Sequence, residues 1–230
     1  MTIIGQPNDY SDMLKRIFWT TFMSGILCSF ILAAASPHMH RFLESLKIEA
    51  DVLFVKGLKA LYVLLPLLFA GVARVIYLHD KISNLFHIRY RFDTRHILYP
   101  LAKASGLPLT KEQEKQIRRT RRDAMYAVFY PYAGFKDPKI DSQLIRNALD
   151  AWGWFWVAVE AVCVFTATLV IVAILREWLF VCICVAVNVL LFAFLLYQGS
   201  ICKRNALREV DAIIAEPTRK QEIQNYFRNV

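Results

Sequence analysis

Along the chain, long blocks almost free of charge alternate with shorter mixed stretches. Ile17–Ser36 runs for 20 residues without Asp, Glu, Lys or Arg, about the length a helix needs to cross a hydrocarbon core. Further apolar blocks cover 57–78, 152–175 and 178–199. The pattern predicts an all-α integral membrane protein with four transmembrane helices. They form two hairpins, 17–78 with an outer loop at 37–56, and 152–199. Between the hairpins lies a helical segment, 79–151, flanked in sequence by an N-terminus at 1–16 and a tail at 200–230. No strand alternation stands out.

Inside the polar stretches the helix signals are local. Phe42, Leu43, Leu46 and Ile48 allow a short amphipathic helix in the outer loop. Asp93 is placed to cap a helix over Thr94–Lys103, and Gly106-Leu107-Pro108 to break it. Thr110-x-x-Gln113 has the form of a capping box, opening a helix expected to reach Phe129 before Pro131 and Gly134. Asp137-Pro138 reads as an N-cap followed by proline at the first helical position. A helix unbroken from Pro138 to Leu175 would measure roughly 57 Å at 1.5 Å per residue. After the last span, Leu207, Val210 and Ile214 continue a helical face that Pro217 stops. Thr218-x-x-Gln221 is expected to cap a final short helix carrying Ile223, Tyr226 and Phe227.

Charge orients these elements. Segment 79–151 holds 14 of the 28 Lys and Arg residues, against 8 Asp and Glu, while loop 37–56 is balanced. The positive-inside rule then puts both termini and 79–151 in the cytoplasm. Lys15-Arg16 and the small residues Ala33–Ser36 imitate a signal peptide, but the apolar run is longer than the usual 7–15 residues. It is read as a retained span. Four of the five cysteines (Cys28, Cys163, Cys182, Cys184) fall in spans, and Cys202 just follows one, so no disulfide framework is expected. No N-x-S/T sequon occurs, which fits a bacterial inner membrane.

Candidate chemistry is sparse. Lys111, Lys115, Arg118 and Arg122 are spaced 4, 3 and 4, one stripe on a helix, which Arg119 widens. Such a stripe attracts anionic headgroups or an acidic, phosphate-bearing partner. Arg121 falls on the neighbouring apolar face (Ile117, Ala124, Met125, Val128) and should spoil its upper end. Within the spans the informative polar residues are Arg74, Glu160 and Asn188. Ionisable groups there are costly enough to be functional by default, and Arg74 and Glu160, at similar depth, are expected to meet. His38-x-His40 points to two helix faces without a completing ligand. Neither a metal nor a cofactor is expected.

Arg91 and His96 satisfy the Arg-x4–6-His spacing of HEPN-type ribonucleases, in which histidine would act as acid or base and arginine would steady phosphate. With 16 Arg and 5 His in the chain, such pairs also arise by chance. The expectation is therefore a small multi-pass membrane protein acting by homo-oligomeric assembly and signal relay, through its basic cytoplasmic region, rather than by catalysis. The rivals are a channel with Glu160 and Asn188 in an aqueous path, and a membrane-tethered RNase using Arg91 and His96.

Overall fold

The computed structural model describes residues 5–46, 49–52, 55–134 and 137–229. Helices dominate: α1 (Tyr10–Ala35), α2 (Pro37–Leu43), α3 (Leu61–Val75), α4 (Leu78–Leu85), α5 (Ile88–Phe92), α6 (Tyr99–Ala104), α7 (Lys111–Arg119), α8 (Arg121–Val128), α9 (Tyr130–Ala133), α10 (Ser142–Ile174), α11 (Trp178–Ile214) and α12 (Pro217–Arg228). One antiparallel ribbon, β1 (Glu49–Val52) with β2 (Val55–Lys59), interrupts them; it pairs Glu49 with Lys59 and Val52 with Val55. Apart from this short ribbon, the described residues bear out the all-α expectation. The outer-loop helix is real but ends at Leu43, opened by Pro37 behind the Ser36 cap. Leu46 lies beyond it, and Ile48 falls outside the described residues.

Three helices, α1, α10 and α11, are long and apolar enough to cross a membrane. A fourth crossing arises only if α3 and α4 count as one span bent by 59°. The described helices thus support three spans, and four only with the bent pair, because 57–78 is not one helix. Its first residues belong to β2, and α3 has only 15 residues, about 22 Å at 1.5 Å per residue. Tyr77, at φ 52°, then breaks the run before α4.

The chain divides into two compact units. The apolar unit comprises Gly5, Ser11–His79 and Gly153–Gln198. Phe22, Leu43, Tyr62, Val63 and Ala70 form one of its cores, while Cys28 packs with Val164 and Phe165. Helices α1 and α3 approach closely where Gly25 meets Pro66: a Cβ on Gly25 would come within 2.9 Å of the proline Cβ. Most of α11's apolar stretch faces outward, with 6% of it buried, against 44% for α10. Arg176, at φ 59°, forms the turn between them; its N–H donates to the Ala173 carbonyl and that of Glu177 to Val172.

The polar unit comprises Gln6–Tyr10, Asp80–Trp152 and Gly199–Val230. Its core joins Leu98 and Leu101, Ile117, Met125 and Val128, Val210 and Ile213, and Ile223 and Phe227. The Thr110–Gln113 capping box forms, and the Gln113 amide also donates to the Phe227 carbonyl at 3.2 Å. Gly106, at φ 93°, ends α6 as its neighbours require: Leu107 N–H reaches Ala102 and Gly106 N–H reaches Lys103.

Several local boundaries differ from the pattern. Asp93 does not cap a helix; it lies in a π-helical turn, Asp93–Leu98, that joins α5 to α6, and its carboxylate serves a partner elsewhere. The helix expected from Thr110 to Phe129 breaks at Thr120, whose hydroxyl bonds back to the Gln116 carbonyl. Asp141, not Asp137, caps α10, accepting from Gln143 N–H at 2.8 Å. The reason is that Ile140 is buried in the core and Lys139 N–H is given to the Tyr132 carbonyl, which fastens 137–140 as a turn. Helix α10 is thus 33 residues, about 50 Å. Span and tail helix merge into α11, and Pro217 both stops it and opens α12, so Thr218 lies inside that helix rather than capping it.

Candidate functional site

A polar cluster of the apolar unit lies where α1, α3 and α10 meet. Arg74 sits in the last turn of α3 and Glu160 in α10; both line a small cavity with Leu14, Ile17, Phe18, Ala70, Ala73 and His79. About 10 Å³ is left there for the centre of a water-sized molecule, room for a single water. Glu160 is 3% exposed, and its carboxylate accepts from the Thr21 hydroxyl at 2.5 Å. Arg74 makes no direct ion pair with it among the described residues, and the Arg74 Nη1 is buried without a hydrogen-bond partner. The two residues expected to pair therefore face one cavity, while the direct partner is Thr21. Nothing in an apolar run singles out one threonine, so the pattern along the chain could not have named it.

Arg16 immediately precedes the first apolar run. It is buried, with its guanidinium 4.9 Å from the Trp154 ring centre and Nη2 donating to the Gly5 carbonyl. Asn188 has its own partners: its amide donates to the Cys184 carbonyl at 2.9 Å, and its oxygen accepts from Thr166 at 3.1 Å. Asn188 does not line the cavity that holds Glu160.

In the polar unit, Lys111, Lys115, Arg118 and Arg119 are exposed on α7, and Arg122 is exposed on α8 beyond the break at Thr120. The stripe is thus divided. Arg118 donates to the Tyr99 hydroxyl at 2.8 Å and pairs with Glu114 at 3.3 Å. Arg121, expected to disturb the apolar face, instead reaches Asp93 at 2.6 Å and lies 5.9 Å from the Tyr90 ring. Asp93 is 6% exposed. Burial pushes its carboxyl up to about 6 despite the opposing charges of Arg121 and Arg89. A charged residue at a core position on each of two helices was the available signal for this pair.

Arg89 donates to the Tyr130 hydroxyl at 3.3 Å, the Tyr130 ring meets that of Tyr126 at 5.2 Å, and Arg122 lies over Tyr126 at 5.9 Å. Segments 89–99 and 118–130 thereby form one arginine–tyrosine band. His96 packs edge-on against Phe92 at 5.4 Å, and burial lowers its pKa, with Lys203 and Arg95 adding to the effect. Arg91 is exposed, and no contact joins it to His96 among the described residues. Glu209, 6% exposed on α11, is pushed up to about 8 by burial. Tyr132 donates to Glu222 at 2.6 Å, and burial with this bond raises the phenol to about 12.

Residues 9–229 match the model of the YmfE protein family, and the chain belongs to that family. Among curated proteins and solved structures, nothing matches the chain. The family description carries no activity with it, so the functional reading rests on geometry.

Proposed function

We propose that the protein works by assembly within a membrane, as a homo-oligomer whose polar unit receives or relays a signal, rather than by chemistry on a substrate. The observation that supports this is the double membership of α10 and α11. Each begins or ends in the polar unit and supplies the apolar unit with a membrane-length helix. On α11 the apolar stretch precedes Ala206, Val210 and Ile213, which lie in the polar unit's core. A change in how the spans associate thus has a covalent, helical route to that core.

The polar unit and both termini are placed in the cytoplasm of a bacterial cell, with the spans in its inner membrane. The excess of Lys and Arg in 79–151 supports that side. The polar unit's exposed basic face is its contact surface. Counting photobleaching steps of the C-terminally labelled protein in native membranes tests assembly. More than one copy per particle is expected, and single steps throughout would overturn the reading. Reporter fusions at Ser45, Ser105 and Arg176 test the topology, which fails if Ser105 reports outside.

A further inference from the structure

We infer that the polar unit carries a site for the phosphate groups of anionic lipid headgroups, formed by Arg89 and Arg122 on Tyr130 and Tyr126 and flanked by Leu85 and Phe86. The inference rests on the proposed cytoplasmic placing of that unit, and it names the partner of its basic face. The arginines of the band divide by what neutralises them. Arg121 is committed to Asp93 and Arg118 to Glu114; these two brace the surface. Among the described residues Arg89 and Arg122 have tyrosines as their contacts and no carboxylate within ion-pair distance, the Asp93 charge reaching Arg89 only from farther off. The Tyr126–Tyr130 ring contact places them in one site. Arg122, held over the Tyr126 ring, keeps its forked N–H edge for bidentate contact with phosphate, and Arg89, with one Nη2 hydrogen given to the Tyr130 hydroxyl, keeps its other donors.

Beside this charge lies the polar unit's most exposed apolar pair. Leu85 is 71% and Phe86 60% exposed at the end of α4, and Tyr126 is 59% exposed. His87, at φ 54°, turns the corner into α5, and Ser83 holds that corner by accepting from Arg89 N–H at 3.2 Å. Apolar side chains beside arginines and tyrosines are what a headgroup boundary takes: the first insert, the second meet phosphate, and the third sit at the interface. A nucleic acid would use the arginines and tyrosines but leave Leu85 and Phe86 in water. A lipid surface accounts for all of them.

The test uses the full-length protein in nanodiscs of phosphatidylcholine alone or mixed with phosphatidylglycerol, read by hydrogen exchange over 83–92 and 121–130. Slower exchange is expected in the anionic discs, reversed by high salt. A basic residue near an anionic surface contributes a factor of about five, so Arg89→Gln with Arg122→Gln should reduce docking about thirtyfold. Leu85→Ser with Phe86→Ser should weaken protection while leaving its salt dependence. Peptides covering Leu101 and Phe227 report whether the variants keep their core. Equal exchange in the two discs, or a double arginine variant with an intact core that is protected like the parent, overturns the site. So does a single-stranded oligonucleotide that protects the same peptides in neutral discs as well as phosphatidylglycerol does. Copy number counted in the same discs separates the two ideas. Lipid-dependent protection of single copies refutes assembly alone, and assembled copies without it refute the lipid site alone.

Discussion

The two units bury charge in different ways. In the apolar unit, Glu160 is held by a neutral hydroxyl, while the nearest opposite charge, Arg74, faces it across a water-sized cavity. In the polar unit, Asp93 meets Arg121 directly at 2.6 Å, whereas Glu209 has burial as the sole cause of its shift. The outward surfaces differ as well. Leu190 on α11 is 70% exposed, yet the polar unit keeps Leu98, Leu101, Ile117 and Phe227 inside. The polar unit therefore depends on conditions that water transmits, above all pH. In a membrane, as proposed, the apolar unit would depend on internal pairing, because hydrocarbon supplies no hydrogen bonds.

The largest expected effect breaks the comparison by pH. Glu209 has its folded pKa raised to about 8, so the folded state binds the extra proton. Stability from this group is complete below the unfolded carboxyl pKa near 4.3 and falls as pH rises through about 8. The loss is about 5 kcal/mol over that window. Asp93 acts in the same direction up to about pH 6. Exchange protection of 206–213, corrected for intrinsic rates, should decline from pH 5 to 8.5, and Glu209→Gln should flatten most of the decline. A parent chain with no decline would remove the distinction between the units.

Next in size is the cavity of the apolar unit. Glu160→Leu or Arg74→Leu alone is expected to cost about 3 kcal/mol by stranding the other charge, and the two together less than the sum. Thermal unfolding of the four proteins in detergent measures this, and additive losses would show that the residues do not communicate. Arg121→Met should destabilise the polar unit by about 2 kcal/mol at pH 8, where the remaining Asp93 is ionised, and by less at pH 5. Equal losses at the two pH values would mean that Asp93 is not the partner that matters. The smallest effect concerns the turn between α10 and α11. Arg176→Gly relieves a left-handed backbone of roughly 1 kcal/mol and should raise the melting temperature slightly. A fall would mean that the arginine side chain contributes more than the strain costs.

Much was legible from position alone. All but the last residue of the uncharged run 17–36 and of the block 152–175, and all of 178–199, lie within membrane-length helices, because burying a backbone in hydrocarbon requires a helix whatever the neighbours are. The Thr110–Gln113 box and the Gly106 stop are contained within a few residues, so local chemistry settles them. By itself the sequence determined that apolar helices alternate with a basic, helical region. Tertiary structure decided the rest, since those outcomes depend on residues far apart in the chain. Ile140 was pulled into a core and moved the start of α10 to Ser142. Arg121 was drawn to Asp93, 28 positions earlier, and Glu160 took the hydroxyl of Thr21, 139 positions away. No periodicity carries such pairings: a buried charge reveals that it needs a partner, and only the packed chain supplies one.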